Sequence, residues 1–288
     1  MEVCRCQRSV GCRCGLERAV DTAYLCLSGA LMELTQHTPN TFFWVDLGTT
    51  HYEAAQSFYA DLFAWEVQAT QVGQWTYVKF AVDGKQVAAL YEMAAGQVTA
   101  GYPVAWMPYL WVEDVDACTE QVKALGGKVL RGPFDVGDQG RTSAVQDPSG
   151  ATFYLWQPGL HRGAELLNQP GALAWVELAT PDPSAVEAFY TRLLGWDAQT
   201  QDMAGERYTL FSQAGQRVAG MAEELGQASA WRVYFAVTDC AAVADRAEKL
   251  GGGVSIPPTH IPGMGRFAAL HDPQGVGFGV VEFLQDTI

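Results

Sequence analysis

Two matched stretches of the chain place an acid two residues after a tryptophan at an offset of 131: Trp44 with Asp46, and Trp175 with Glu177. In a strand, residues two apart share a face, so each indole points the same way as its carboxyl. Arg232 and Tyr234 have the same spacing, and Tyr109 and Tyr154 stand in other strand-like segments. A carboxyl beside a phenol can act as general acid or base. An arginine forks onto carboxylate or phosphate, and a tryptophan stacks on planar groups. This set suits a planar or amphipathic organic ligand. Arg141 and Arg266 each follow a glycine. Each is a candidate anion clamp, with a salt bridge holding a loop to a strand as its rival.

The remaining reactive side chains argue for less. Five of seven cysteines, Cys4, Cys6, Cys12, Cys14 and Cys26, crowd the first 26 residues. Their C-x-C pairs differ from the C-x-x-C of zinc sites, and no period surrounds them. Residues 1–37 read as an unstructured N-terminal extension. An apolar stretch from Ala23 to Met32 is short for a signal peptide and lacks a cleavage motif. Cys118 and Cys240 fall at apolar helix positions and read as core fillers. His37 and His161 lie outside the strands, His51 before a helix, His260 in the Pro257–Pro262 loop, and His271 at a strand end beside Asp272. A single histidine there is hydrogen-bonded structure more often than a ligand.

Composition narrows the partners. The 288 residues are 49% hydrophobic and 17% charged, as in folded globular proteins, and a chain this long can bury a core without disulfides. Eighteen basic against 32 acidic residues leave a net charge of −14, which argues against nucleic acid. No apolar run reaches the ~20 residues that span a membrane. A cytoplasmic protein, monomer or homodimer, binding a small molecule is the expectation.

The elements that position these groups come as a repeat. Phe58-Tyr59 matches Phe189-Tyr190 at an offset of 131, which also sets Trp44 on Trp175. Leu125-Gly126-Gly127 matches Leu250-Gly251-Gly252 at 125, as do Gly140-Arg141 with Gly265-Arg266, and Asp147-Pro148 with Asp272-Pro273. The change of six places a longer loop between Glu92 and Trp106 in the first copy. Ala55, Phe58, Tyr59, Leu62 and Phe63, and their counterparts from Val186 to Leu194, follow the amphipathic-helix period. Each copy reads as strand, helix and two strands, twice over, an α+β arrangement with helices on one sheet face. The halves are bounded as 38–158 and 170–288, joined by a linker over 159–169. Alternation sends Val45, Leu47, Val176 and Leu178 towards the helices. Trp44, Asp46, Trp175 and Glu177 then face a cleft, with Met107, Tyr109, Trp111, Arg232 and Tyr234. On the last strands Tyr154 and Trp156 face the first cleft, whereas Gly277 and Gly279 leave room in the second.

This order, with AxxFYxxLxxW on the first helix of each half and DPxG before the last strand, resembles the vicinal oxygen chelate superfamily of glyoxalases, extradiol dioxygenases and bleomycin-resistance proteins. The resemblance covers residues 40–285, twice. It implies tandem domains, each of two βαβββ modules forming a curved sheet, an incomplete barrel, around a cleft. Metal-dependent members carry His, Gln or Glu at four cleft positions, which fall here on Trp44 or Trp175, Ala89 or Gly220, Met107 or Arg232, and Tyr154 or Gly279. None of these eight supplies the carboxylate or imidazole that a divalent metal needs. The expectation is therefore no metal and no cofactor; nothing resembles a dinucleotide-phosphate motif. The leading function is metal-independent binding of a small organic molecule at Trp175, Arg232 and Arg266, or at Trp44, Asp46, Tyr109 and Tyr154. The alternative is a lyase, isomerase or hydrolase using Glu177 or Asp46 as acid/base beside Tyr234 or Tyr109.

Overall fold

The structure is a computed structural model and describes residues 37–72, 75–203 and 206–284. The N-terminal cysteines, and the expectation of an unstructured extension over residues 1–36, lie outside the described residues. The first half runs β1 (Phe42–Thr49), α1 (Tyr52–Phe63), β2 (Glu66–Val72), β3 (Trp75–Val82), β4 (Lys85–Glu92), α2 (Ala95–Thr99), β5 (Ala105–Trp111), α3 (Val115–Ala124), β6 (Lys128–Val136), β7 (Gly140–Gln146) and β8 (Thr152–Pro158). The second runs β9 (Leu173–Thr180), α4 (Pro183–Leu194), β10 (Asp197–Met203), β11 (Glu206–Gln213), β12 (Gln216–Glu223), β13 (Ala230–Ala236), α5 (Cys240–Lys249), β14 (Gly253–Ile261), β15 (Gly265–His271) and β16 (Gly277–Phe283). Each half folds as one curled eight-stranded sheet. The orders are β2-β3-β4-β1-β5-β8-β7-β6 and β10-β11-β12-β9-β13-β16-β15-β14. The module is thus βαβββ, as the family resemblance implies, and the longer first-copy loop contains α2.

Residue periodicity alone fell one strand short in every module. The missed strands are β2, β6, β10 and β14, two at the edges of each sheet. An edge strand buries neither face well, so no apolar alternation marks it: β10 is exposed along most of its length. Strand β14 carries Pro257 and Pro258, which an edge tolerates because the missing N–H faces no neighbour. His260, expected in a loop, lies exposed on this strand.

Helix ends follow local chemistry. Asp182 caps α4 by accepting from the Ala185 N–H, with Pro183 at the first helical position. Gly195 ends α4 in the left-handed region at φ 69°. His51 precedes α1 without a side-chain capping bond.

One core serves both halves. Phe58 and Phe189 are buried, and each meets the next tyrosine edge-on with ring centres 5.0 Å apart. Free Cys118 and Cys240 are buried as fillers. The FYxxLxxW motif supplies crossed ties between the halves. The Tyr59 hydroxyl donates to Asp272 Oδ2 at 3.3 Å, and the Tyr190 hydroxyl to Asp147 Oδ2 at 3.1 Å. Trp65 Nε1 donates to the Gly171 carbonyl, and Trp196 Nε1 to that of Asn40, each at 2.7 Å. The acids belong to the DPxG turns, whose backbone N–H groups they also hold: Asp147 Oδ1 accepts from Ser149 and Ala151, and Asp272 Oδ1 from Gln274 and Val276. The two signature motifs therefore find each other across the halves.

Tyr59→Phe or Tyr190→Phe leaves a buried carboxylate oxygen without its donor. Each should cost roughly 1–3 kcal/mol in urea unfolding. The two should nearly add, because the sites share no partner.

Candidate functional site

The face of each sheet away from the helices carries a matched set of four residues. In the first half these are Trp44 and Asp46 on β1, Tyr77 on β3 and Tyr109 on β5. At the established offsets their counterparts are Trp175, Glu177, Tyr208 and Tyr234. Strand register brings each set together. Asp46 lies opposite Ala89 and Met107, and Glu177 opposite Gly220 and Arg232. The tyrosine of β3 and β11 escaped the sequence reading, although it repeats at the offset of 131. Its place in the set follows from the register of β3 with β4 and of β11 with β12.

In the first half Trp44, Asp46 and Tyr109 are buried and Tyr77 is half-buried. Trp44 is 1% and Asp46 4% exposed. The Trp44 indole and the Tyr77 hydroxyl both donate to Asp46 Oδ1, the latter at 3.0 Å. Tyr154 stacks on Tyr109 with centres 4.6 Å apart and planes 14° off parallel. Trp111 and Trp156 join the same buried cluster, and Tyr91 meets the Tyr154 hydroxyl at 3.5 Å. The segment after β8 lies against this cluster. His161 stands edge-on to Trp44 at 4.7 Å, and the Ala164 N–H bonds the Phe43 carbonyl. The buried His37 ring bonds the Ala164 carbonyl. Burial holds the His161 pKa down at about 4.

The second set is less buried at the tryptophan and the acid, while Tyr234 is buried. Trp175 and Tyr208 are half-buried, and the Glu177 side chain is 14% exposed. Tyr208 donates to Glu177 Oε2 at 2.9 Å and Tyr234 to Oε1 at 3.0 Å. The Trp175 indole donates to the Tyr208 hydroxyl at 3.0 Å instead of to the acid. Burial raises the Glu177 pKa above its usual value, opposed by the two phenols and by Arg232. Arg232 itself is held by both oxygens of Glu224, at 2.6 Å for the Nη2 contact, and stands 3.9 Å from Glu177. Arg232 is therefore paired chiefly with Glu224 rather than with Glu177. Glu224 follows β12 directly, outside any alternating pattern that would have flagged it.

Several positions differ from expectation. Gly279 does not leave bare floor, because the Tyr234 ring lies on it and an added Cβ would collide with that ring. Gly220 similarly makes room for the Tyr208 hydroxyl. Arg266 stands apart from the set. It pairs across β15 and β16 with Glu282, which bonds the N-terminus of α5, and it shares its strand face with the core residues Ala268 and Leu270. Arg266 thus faces the helix side, exposed. Arg141 of β7 ties Asp116 of α3 and Asp135 of β6 in exposed salt bridges. The His271 ring bonds the Asp272 carbonyl at 3.2 Å.

The eight positions at which family members ligate metal do not fit one here. They hold Trp, Ala, Met, Tyr, Gly and Arg, and each set offers one carboxylate. Among the described residues no three His, Cys, Asp or Glu side chains cluster to hold an ion. No helix among them is long and apolar enough to cross a membrane.

Comparison with known proteins agrees with this architecture. Residues 41–155 match the Glyoxalase/Bleomycin resistance protein/Dioxygenase superfamily, and residues 175–281 match the Glyoxalase-like domain. The chain belongs to that superfamily, as a tandem member. It is 41% identical to the provisionally named glyoxylase CFP32 of Mycobacterium tuberculosis, over 87% of this chain and 96% of that one. It is 37% identical to the anthracycline biosynthesis protein DnrV of Streptomyces peucetius, over 86% and 95%. The Mn(II)-bound glyoxalase of Novosphingobium aromaticivorans shares the fold at a TM-score of 0.59 and 16% identity, covering 85% of this chain and 84% of that one. The trihydroxybiphenyl dioxygenase of Sphingomonas wittichii does so at 0.61 and 13%, covering 85% and 91%.

Burial raises the Asp46 pKa to about 6, against the pull of Tyr77 and Trp44. The folded protein then holds this proton more tightly than the unfolded chain, so Asp46 costs stability as pH rises from about 4 to about 6, and the cost is constant above. The shift corresponds to about 3 kcal/mol. In Asp46→Asn the amide carbonyl still accepts from Trp44 and Tyr77. Its stability relative to the parent should improve by about that amount between pH 4 and pH 7.5, measured by urea unfolding at both.

Proposed function

We propose that the face carrying Glu177 is a binding site for a small organic molecule and that it works without a metal. The observation that supports this most is the contrast between the two halves. Trp44 and Asp46 are buried under aromatic rings in one, whereas Trp175 and Glu177 are half-buried in the other. A half-buried carboxyl oriented by two phenols, beside an indole and an ion-paired arginine, offers convergent polar groups on an apolar wall, the usual make-up of a small-molecule site. The anthracycline-biosynthesis name of the Streptomyces relative agrees with an organic ligand of this kind.

A second reading has a specific observation in its favour. The raised Glu177 pKa moves the carboxyl towards the range of a general acid or base. On that reading Glu177 exchanges a proton with the bound molecule, while Tyr208 and Tyr234 fix its orientation. Lyase, isomerase or hydrolase chemistry would use the same site.

A thermal-shift screen of metals, flavins, quinones, sugars and antibiotics tests the binding reading. An organic compound should raise the melting temperature by mass action, with affinity unchanged by EDTA. Trp175→Ala with Glu177→Gln should weaken binding by roughly 2–4 kcal/mol while the fold persists. A metal that survives dialysis at one per chain, and without which no ligand binds, would overturn it.

A further inference from the structure

The helices pack across the halves in two matched pairs. Helix α1 lies against α5, and α4 lies against α3. In the first pair Arg246 of α5 reaches across and donates from Nη1 to the Leu62 carbonyl of α1 at 3.2 Å. That carbonyl belongs to the last turn of α1, where helical partners run out and negative partial charge collects. The chain thus supplies a guanidinium to one of its own helix ends.

In the second pair the arginine is replaced. At the offset of 125 Arg246 falls on Gln121, and at 131 Leu62 falls on Leu193. Gln121 and Leu193 both line a crevice of about 440 Å³ between α3 and α4. Two further exchanges accompany the loss of the cation. Thr238 is matched by Glu113 at the offset of 125, and Val82 by Gln213 at 131. Glu113 and Gln213 line the same crevice. Where the chain gives up a positive charge it therefore gains a carboxylate and an amide. Glu113 and Gln121 are exposed, so the crevice reaches the surface. The Gln213 amide oxygen is buried and accepts no hydrogen bond. A buried acceptor left without a donor is costly.

We propose that this crevice binds the guanidinium of a small molecule, in the place that Arg246 takes in the other helix pair. The crevice lies on the helix side of the sheets, away from Glu177, and the inference does not depend on the reading of that face. Its volume falls within the range of small-molecule pockets, towards the lower end. A guanidinium carries five N–H donors in a planar fork. Those donors match an acceptor set made of a carboxylate, a helix-end carbonyl and an unpartnered amide oxygen. An ammonium brings the charge without the fork. An anion would face both Glu113 and the negative end of α4.

Agmatine and 1,5-diaminopentane, titrated into the full chain by calorimetry at constant ionic strength, test this. Agmatine should bind at least about tenfold more tightly than the diamine, which presents an ammonium in place of the guanidinium. Glu113→Gln should weaken agmatine about tenfold, the scale of a charge-assisted contact. Gln121→Arg gives α3 the residue that α5 already carries. It should abolish agmatine binding with the melting temperature kept or raised. Should that variant misfold, Glu113→Gln combined with Gln213→Val, which reproduces the neutral side chains of the other pair, makes the same test. Equal affinity for the diamine overturns the guanidinium assignment. Agmatine that fails to bind overturns the site. Agmatine that binds regardless of both Glu113→Gln and Gln121→Arg also overturns it, since the net charge of −14 then accounts for the binding.

Discussion

The two crossed tyrosine–aspartate bonds hold the molecule in register. Tyr59 reaches Asp272 and Tyr190 reaches Asp147, so each half's first helix is tied to the turn before the other half's last strand. That turn sets the start of β16 or β8, the strand paired with β13 or β5 next to the acid-bearing strand. Both carboxylates are buried and satisfied by backbone N–H groups on one oxygen and by the phenol on the other. Losing the phenol would orphan a buried acceptor, which is costlier than losing a bond in water. The Trp65 and Trp196 indoles add a second crossed pair to backbone carbonyls. Neither half's concave face is positioned independently of the other half.

Duplication on this frame has produced two faces with one polar plan and unequal burial of the tryptophan and the acid. The plan needs a tryptophan, an acid and two tyrosines on three adjacent strands. Sealing needs bulk above them, and the first half supplies it from β4, β5, β8 and the segment after β8. The second half carries small residues at the matched places on β12, β13 and β16. Gly220 and Gly279 are not empty space, since both lie under tyrosine rings. A side chain at either would push the ring off the position from which it holds Glu177, so these glycines serve the acid's orientation.

Much of this was legible in the sequence, for identifiable reasons. The offsets of 131 and 125 exposed the repeat because buried aromatic and glycine positions tolerate few alternatives. Period-two alternation on β1 and β9 placed Trp44, Asp46, Trp175 and Glu177 on the concave face because the opposite face is uniformly apolar. Edge strands were invisible for the converse reason. Arg266 lies apart from Glu177 because its strand parity, fixed by the core residues Ala268 and Leu270, turns it to the helix side. Tyr208 and Glu224 could not be chosen from spacing. Their roles depend on register across β11, β12 and β13, which only the pairing of strands defines. The partition of Arg232 between Glu224 and Glu177 is of the same kind.

The buried acid of the first half shows how the carboxyl of the proposed site is held in place. In water a glutamate explores many rotamers, and fixing it on binding costs entropy. At Asp46 the neighbouring phenol and indole have already fixed the carboxyl, and removing it would strand those donors in a dry interior. The network is therefore self-supporting: acid holds phenols, and phenols hold acid. Glu177 takes two phenols where Asp46 takes a phenol and an indole. Its orientation is set by these donors, with one acceptor direction left on each oxygen. A molecule that completes the arrangement gains a hydrogen bond to a partner already in place, and the cost of ordering the site is borne by the fold.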